Sequence, residues 1–238
     1  MIDTCPNLLR RSYHLRYDVY CIERGFLEAV NYPDRLETDE YDQYSMHFGV
    51  TNAHEELVGT VRLVQPGPMG LPLYGCCRIF PHEAEKLADI TTIAEISRLA
   101  ISRRVHRRRN DGPYSLSGAE RFGEMPRNST ENVRSLDERH SHVPLVVSLY
   151  KAMYHACKRN GITHLLAATE RSLQRLLTVY HFPFRAIGPQ VDYFGPVIPY
   201  VLDLAELDAR LLECQSPILS EFLDGLEPEY WPALACAR

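Results

Sequence analysis

The sequence predicts an α/β sandwich: a mixed, mostly antiparallel central sheet flanked by helices. Three observations predict it. Short apolar runs that read as strands alternate with amphipathic stretches at three- and four-residue spacing. Two of the strand-like runs, 46–51 and 57–64, are joined by the polar turn 52–56, the pattern of an antiparallel hairpin. The later runs 93–101 and 162–168 have a helical stretch between them, so strands and helices belong to one mixed-sheet layer architecture. The 238 residues suit one domain, long enough to bury a sizeable core without covalent staples.

Residues 7–24 read as a helix, because Leu8, Leu9, Tyr13, Arg16, Tyr17, Tyr20 and Cys21 recur at helical spacing. Gly25 is its stop. Residues 26–44 form an acidic connection around Pro33, and the hairpin follows. Residues 65–80 are rich in Gly and Pro and read as irregular. Pro81 opens a short helix to residue 88, at the first turn, where its missing N–H is not needed. Residues 93–101 read as the central strand. Residues 110–142 carry Gly, Ser, Asn, Arg and Glu but few large apolar side chains. Such a length without apolar content predicts a mobile insertion. Leu145, Val146, Leu149, Met153, Ala156 and Cys157 mark one face of a helix ending at Asn160-Gly161. A buried strand over 162–168 leads to a helix from Thr169 or Glu170 to Tyr180, with Leu173, Leu176 and Leu177 inward. Strands follow at 184–187 and 197–204. Pro199 predicts that the second is an edge strand or bulged, because proline cannot donate to a ladder. Residues 205–238 form a C-terminal extension with helices over 205–213 and 217–225.

Composition excludes several classes. With 13 Gly, 16 Pro and 45% hydrophobic residues the chain is neither collagen-like nor disordered. The net charge of −5 argues against a generic nucleic-acid binder. That figure averages two parts, however. Six Arg fall between Arg98 and Arg109, where there is no acid, and all 31 acidic residues lie elsewhere. No signal-like apolar run is present near residue 1 and no run reaches about 18 apolar residues. The expectation is a cytoplasmic protein without a transmembrane segment. Seven Cys with no C-x-x-C predict neither a disulfide framework nor a metal site. The adjacent Cys76 and Cys77 read as reduced packing residues, a reactive thiol being the alternative.

Four groups of polar residues sit where a plain core would not have them. Arg16 lies in the apolar face of the first helix. Glu37, Asp39 and Asp42 form an acidic run. Arg62 interrupts the apolar strand 59–64, and Glu95 and Arg98 interrupt 94–101. Strand alternation puts Glu95 and Ser97 on one face and Arg98 on the other, unless a bulge intervenes. A buried charge without a partner costs several kcal/mol, so these residues are expected to share one hydrogen-bonded pocket. The alternative is a purely structural Arg–carboxylate network.

The pieces R-Y-x-V-Y (16–20), E-x-D-x-x-D (37–42), G-x-V-R-L (59–63) and E-x-S-R-x-x-I (95–101) resemble the acyl-homoserine-lactone synthases, within the GNAT-like acyltransferases. The stretches 16–25, 36–42, 149–168 and 188–204 are more similar to a sister branch associated with PEP-CTERM/exosortase systems, which includes long-chain N-acyl amino acid synthases. The resemblance covers most of the chain except 110–142. It implies a GNAT-like acyltransferase sandwich. The homoserine-lactone synthases carry Phe where Tyr20 stands and Trp where Phe26 stands, and use both to shape an S-adenosylmethionine pocket. The general GNAT glycine signature for coenzyme A phosphates is reduced here to Gly112 alone after Arg103-Arg104.

The resemblance therefore implies an N-acyltransferase that moves a fatty acyl group from acyl carrier protein or acyl-CoA to a small amine or amino acid. No permanently bound cofactor is expected. Glu95 is the candidate general base, directly or through one water. A backbone N–H near Leu99, Ile101 and Ser102 is the candidate oxyanion donor. Arg16, Asp39, Asp42, Arg62 and Arg98 form the charged frame of the catalytic pocket, with an acceptor carboxylate suited to one of the three Arg. Arg103, Arg104, Arg107, Arg108 and Arg109 are expected to meet coenzyme A phosphates or an acidic carrier protein, with a solvated surface run and a nucleic-acid patch as alternatives. Lys151, Lys158 and Arg159 are expected to widen that surface. The apolar run 145–154 is core, or the lining of an acyl channel. The rival functions are a homoserine-lactone synthase using S-adenosylmethionine and a non-catalytic module that holds carrier protein or acyl chains.

Overall fold

A computed structural model describes residues 1–87, 89–102 and 145–232. The expected insertion at 110–142, most of the Arg stripe and the last six residues of the C-terminal extension lie outside them.

The first helix is α1 (Pro6–Tyr17), and it continues as one π-helical turn over Asp18–Glu23. The expected single α-helix to residue 24 is thus corrected in its last third: Arg24 N–H reaches back to Val19 C=O, five residues away. Gly25, at φ +64°, then ends the helix as expected. The hairpin is β1 (Ser45–Thr51) and β2 (Leu57–Val64). The Gly/Pro-rich segment is not wholly irregular, since α2 (Leu73–Cys76) forms one turn within it. Then come α3 (Pro81–Lys86), β3 (Ile93–Ile101), α4 (Leu145–Arg159), β4 (His164–Thr169) and α5 (Arg171–Val179). Short β5 (Arg185–Ala186) and β6 (Val191–Asp192) precede β7 (Pro196–Asp203). The described chain closes with α6 (Leu204–Glu213) and α7 (Pro217–Leu223). No helix among the described residues is long and apolar enough to cross a membrane.

The sheet runs β1-β2-β3-β4-β7-β5, with β6 also on β7. Only β3–β4 pair in parallel among these strands. Both faces are covered. Leu63, Ile96 and Leu165 pack against α4 and α5, while their neighbours Val64 and Leu166 pack on the opposite face with Leu73 and Ile187. Burial on two sides is why these strands read as continuous apolar runs.

Strand β7 lies between β4 and β5, so the edge expected from Pro199 is corrected. The physical reason lies in the ladder. In an antiparallel strand a residue's N–H and C=O point to the same side. Pro199 C=O accepts from Ile187 N–H at 2.9 Å. Its missing donor therefore faces the two-residue strand β5 and leaves the β4 ladder intact.

Candidate functional site

The site begins with a defect in β3. Thr60 pairs with Ala100, but Arg62 pairs with Ser97, so β3 uses one more residue than β2 between them. Arg98 lies at this bulge with φ +52°, a conformation that non-glycine residues rarely adopt. The bulge turns Arg98 toward the same side as Ser97, against plain strand alternation.

There it meets the acidic run. Arg98 Nε donates to Glu37 Oε1 and its Nη2 to Asp39 Oδ2, each at 3.0 Å. Arg62 donates from Nε to Ser97 Oγ at 3.0 Å, from Nη1 to Asp42 at 2.8 Å, and through both Nη atoms to Asp39. Arg16 donates from Nε to Glu37 Oε2 and through both Nη atoms to Asp42, at 2.7 and 3.1 Å. Three guanidinium groups thus face three carboxylates. Arg16 and Arg62 are 1% exposed and Glu37 is 0% exposed. Two further residues, unnoticed in the sequence, complete the network: His47 bridges Asp42 (3.0 Å) and Asp3 (2.7 Å). Burial alone would raise the acids; the hydrogen bonds and charges of the Arg and of His47 outweigh it and hold Asp39 and Asp42 below the usual carboxylate range. Burial would lower His47, but its two acids raise it instead.

This saturation narrows one expectation. Arg16 and Arg62 are committed to Glu37, Asp39, Asp42 and Ser97, and neither is among the residues that line the cavity described below. They form a rigid frame and offer no fork to an acceptor carboxylate. Of the frame, Arg98 alone reaches the cavity, with its guanidinium paired on the inner side.

That cavity opens where β3 and β4 part. Their parallel pairing ends at Ile96–Ala167, while β3 continues along β2 to Ile101. About 500 Å³ of space lies between the diverging strands. Its lining combines apolar side chains, among them Ile101, Tyr150, Leu173 and Val197, with Glu95, Ser97, Arg98, Cys76 and the aromatic rings of Tyr20, Phe26, Tyr193 and Phe194. Tyr20 donates its hydroxyl to Leu99 C=O at 2.9 Å, which ties the π-turn to the bulge.

Glu95 is 4% exposed and accepts the Leu73 backbone N–H at 2.7 Å. Burial pushes its carboxyl up to about 8; the Leu73 bond opposes this and the nearby Cys76 reinforces it. A carboxyl with that affinity for protons, in a cavity, is suited to take one from an amine. Cys76 is half-buried, and its Sγ lies 3.6 Å from that of Cys77. The hydrogen bond from Cys77 lowers Cys76 to about 7, and the same pairing raises Cys77. Cys76 is thus a cavity thiol, which corrects its reading as packing; Cys77 is buried in the core.

The donor-side residues divide. Leu99 and Ile101 line the cavity. Ser102 does not, and its N–H donates to Val58 C=O at 2.9 Å, which removes it as an oxyanion donor. Arg103, Arg104, Arg107, Arg108 and Arg109 lie outside the described residues. Lys151, Lys158 and Arg159 are each paired with an acid of the C-terminal segments. The partners are Asp224, Asp208 and Glu227, at 2.9, 2.5 and 3.0 Å, and the pairs fasten α4 to those segments. The run 145–154 is mostly core, with Tyr150 reaching the cavity. Sequence reasoning missed the backbone of Leu73, which no side-chain pattern marks, and the ring pair Tyr193–Phe194 in the turn between β6 and β7.

Residues 15–112 match the acetyltransferase (GNAT) domain family. No curated protein matches the chain. Among solved structures, TofI in a ternary complex with an inhibitor and MTA is similar at TM-score 0.58 and 18% identity, covering 94% of each chain. BjaI, a CoA-dependent acyl-homoserine lactone synthase solved with MTA, is similar at TM-score 0.57 and 20% identity, over 91% of this chain and 86% of that one. FeeM, an N-acyl amino acid synthase from uncultured soil microbes, is similar at TM-score 0.54 and 18% identity, over 89% and 93%. The fold is therefore that of GNAT-like acyltransferase structures. The domain match supports an enzyme of acyltransferase type.

Proposed function

We propose that the chain is an N-acyltransferase that moves a fatty acyl group from an acyl thioester, on acyl carrier protein or coenzyme A, to the amine of a small acceptor such as an amino acid. The observation that carries this reading is Glu95, a buried carboxyl lining a cavity whose mixed apolar and polar lining suits an acyl chain and a polar acceptor. The acceptor ammonium gives a proton to Glu95. The freed amine attacks the thioester carbonyl carbon, forming the C–N bond. The C–S bond then breaks, and the second proton lost by the attacking nitrogen balances the one taken up by the departing thiolate, which leaves an amide and a free thiol. The Arg–carboxylate frame contributes by holding the bulged end of β3 rigid, which fixes Glu95 and the acyl path relative to each other.

The similarity to FeeM and the aromatic wall favour an amino acid acceptor. The second reading is a homoserine-lactone synthase using S-adenosylmethionine, favoured by the similarity to BjaI. Tyr20 and Phe26, in place of Phe and Trp, weigh against it. Docking of a carrier protein by Arg103, Arg104, Arg107, Arg108 and Arg109, and the association with PEP-CTERM/exosortase systems, rest on the sequence and belong to the same proposal. The test incubates purified protein with acyl-CoA or acylated carrier protein, plus either free amino acids or S-adenosylmethionine. Mass spectrometry showing N-acyl amino acids supports the first reading, and acyl-lactones the second. Neither product with any donor contradicts catalysis and leaves the binding module.

A further inference from the structure

Two cations among the described residues line the cavity, Arg98 and Arg24. Arg98 is paired with Glu37 and Asp39. Arg24 is different. It is half-buried, its guanidinium carbon lies 5.8 Å from the centre of the Phe26 ring, and no carboxylate pairs with it among the described residues. A guanidinium held near an aromatic ring and paired with no carboxylate keeps N–H groups for a planar anion.

Its place in the cavity is fixed by a chain of ring contacts. Phe26 stacks on Phe194 at 6.3 Å, and Phe194 packs on Tyr193 at 4.7 Å. Tyr193 is in turn close enough to Glu95 and Cys76 for their charges to act on its hydroxyl. Arg24 therefore lines the same cavity as Glu95, joined to it along the wall by Phe26, Phe194 and Tyr193. The π-helical turn is what delivers it. Arg24 closes that turn through its N–H to Val19 C=O, and Phe26 N–H returns to Tyr20 C=O at 2.8 Å. An ordinary α-helix would carry position 24 to a different angle around the axis.

We propose that Arg24 holds the carboxylate of the acceptor, so that the acceptor is an amino acid and not a simple amine, its nitrogen turned toward Glu95. The assignment rests on the acyl-transfer reading for the chemical step after binding, but binding itself is measurable without turnover. It also supplies what Arg16 and Arg62 cannot, because both are saturated.

The test is isothermal titration of wild-type protein and the Arg24→Gln and Arg24→Lys variants, each preloaded with a non-reactive acyl-CoA thioether. The probes are L-phenylalanine against phenethylamine and L-leucine against isoamylamine. Wild type is expected to prefer each amino acid over its amine. Arg24→Gln is expected to shrink that preference about 10- to 100-fold, the usual value of a charge-assisted hydrogen bond. Arg24→Lys should recover part of it. An Arg24→Gln protein that keeps the preference overturns the assignment. So does a wild type with no preference, including one that binds none of the four. A variant that loses affinity for the acyl-CoA thioether and keeps the amino acid preference assigns Arg24 to phosphate and also overturns it. If the preference depends on Arg24 but no N-acyl product forms with a reactive donor, the acyl-transfer reading fails alone.

Discussion

The carboxyl of Glu95 accepts the backbone N–H of Leu73 at 2.7 Å, from a strand in the middle of the sheet to the first residue of a one-turn helix. One neutral donor stabilises the anion far less than the Arg contacts that Glu37 enjoys fifty-eight residues earlier in the chain. The two acids therefore have different work: Glu37 pairs with Arg16 and Arg98 inside the frame, and Glu95 lines the cavity with a raised proton affinity.

Glu95 makes the fold sensitive to pH in a defined direction. Its carboxyl rises from an ordinary 4.5 to about 8 in the fold. The folded state then binds more protons than the unfolded state between those values, so stability falls as pH rises through that window. Glu95→Gln keeps an acceptor for Leu73 and removes the titration. The variant is expected to be more stable than wild type at pH 8 by up to roughly 4 kcal/mol, at about 1.4 kcal/mol per pH unit, and nearly equal below pH 4.5. Denaturant unfolding at the two pH values checks this.

The Arg–carboxylate frame should fail as a unit. Arg62→Ala leaves Asp39 and Asp42 buried beside a missing partner, which costs about 3–5 kcal/mol. Arg62→Lys should restore little, since one ammonium cannot serve Asp39, Asp42 and Ser97 together. Chemical unfolding of both variants measures the loss.

The frame also sets two pH limits. Asp39 and Asp42 titrate low in the fold, so their contribution is present above about pH 4 and is lost as pH falls through their folded values. His47 titrates high, so its contribution is full below about pH 6.5 and is lost as pH rises through its folded value. His47→Gln is expected to flatten that upper loss and to weaken the acid limb in part, because His47 is one of the groups that hold Asp42 low, as read from melting temperature against pH.

Cys76 should behave as a cavity thiol. Its alkylation by iodoacetamide is expected to reach half its maximal rate near pH 7, with acyl-CoA slowing it. Peptide mass spectrometry tracks both effects. Cys76→Ser should lower acyl transfer less than tenfold, because the amine attacks the thioester directly. Loss of all transfer would favour an acyl-enzyme on that thiol.

Much of this arrangement was legible in the sequence, and the limits have physical causes. Arg16, Arg62 and Glu95 stand out because charge inside apolar runs demands partners. Strand alternation separated Arg98 from Ser97, and the bulge that reunites them depends on pairing with β2, a tertiary fact. Pro199 suggested an edge because proline lacks a donor, but which side the lost donor faces is set by register. The π-turn at 18–23 and the placement of Arg24 depend on backbone bonds that no residue pattern announces. Lys151, Lys158 and Arg159 looked like free surface charge because their partners come fifty or more residues later.

The most direct measurement of the central claim is kcat/KM for N-acylation against pH, for wild type and Glu95→Gln, with the same acyl thioester and amine. Wild type is predicted to rise with pH and level near 8, as the base ionises. Glu95→Gln is predicted to fall by about 10²–10⁴ and to lose that limb. A variant with wild-type rates and an unchanged limb near pH 8 would contradict the account.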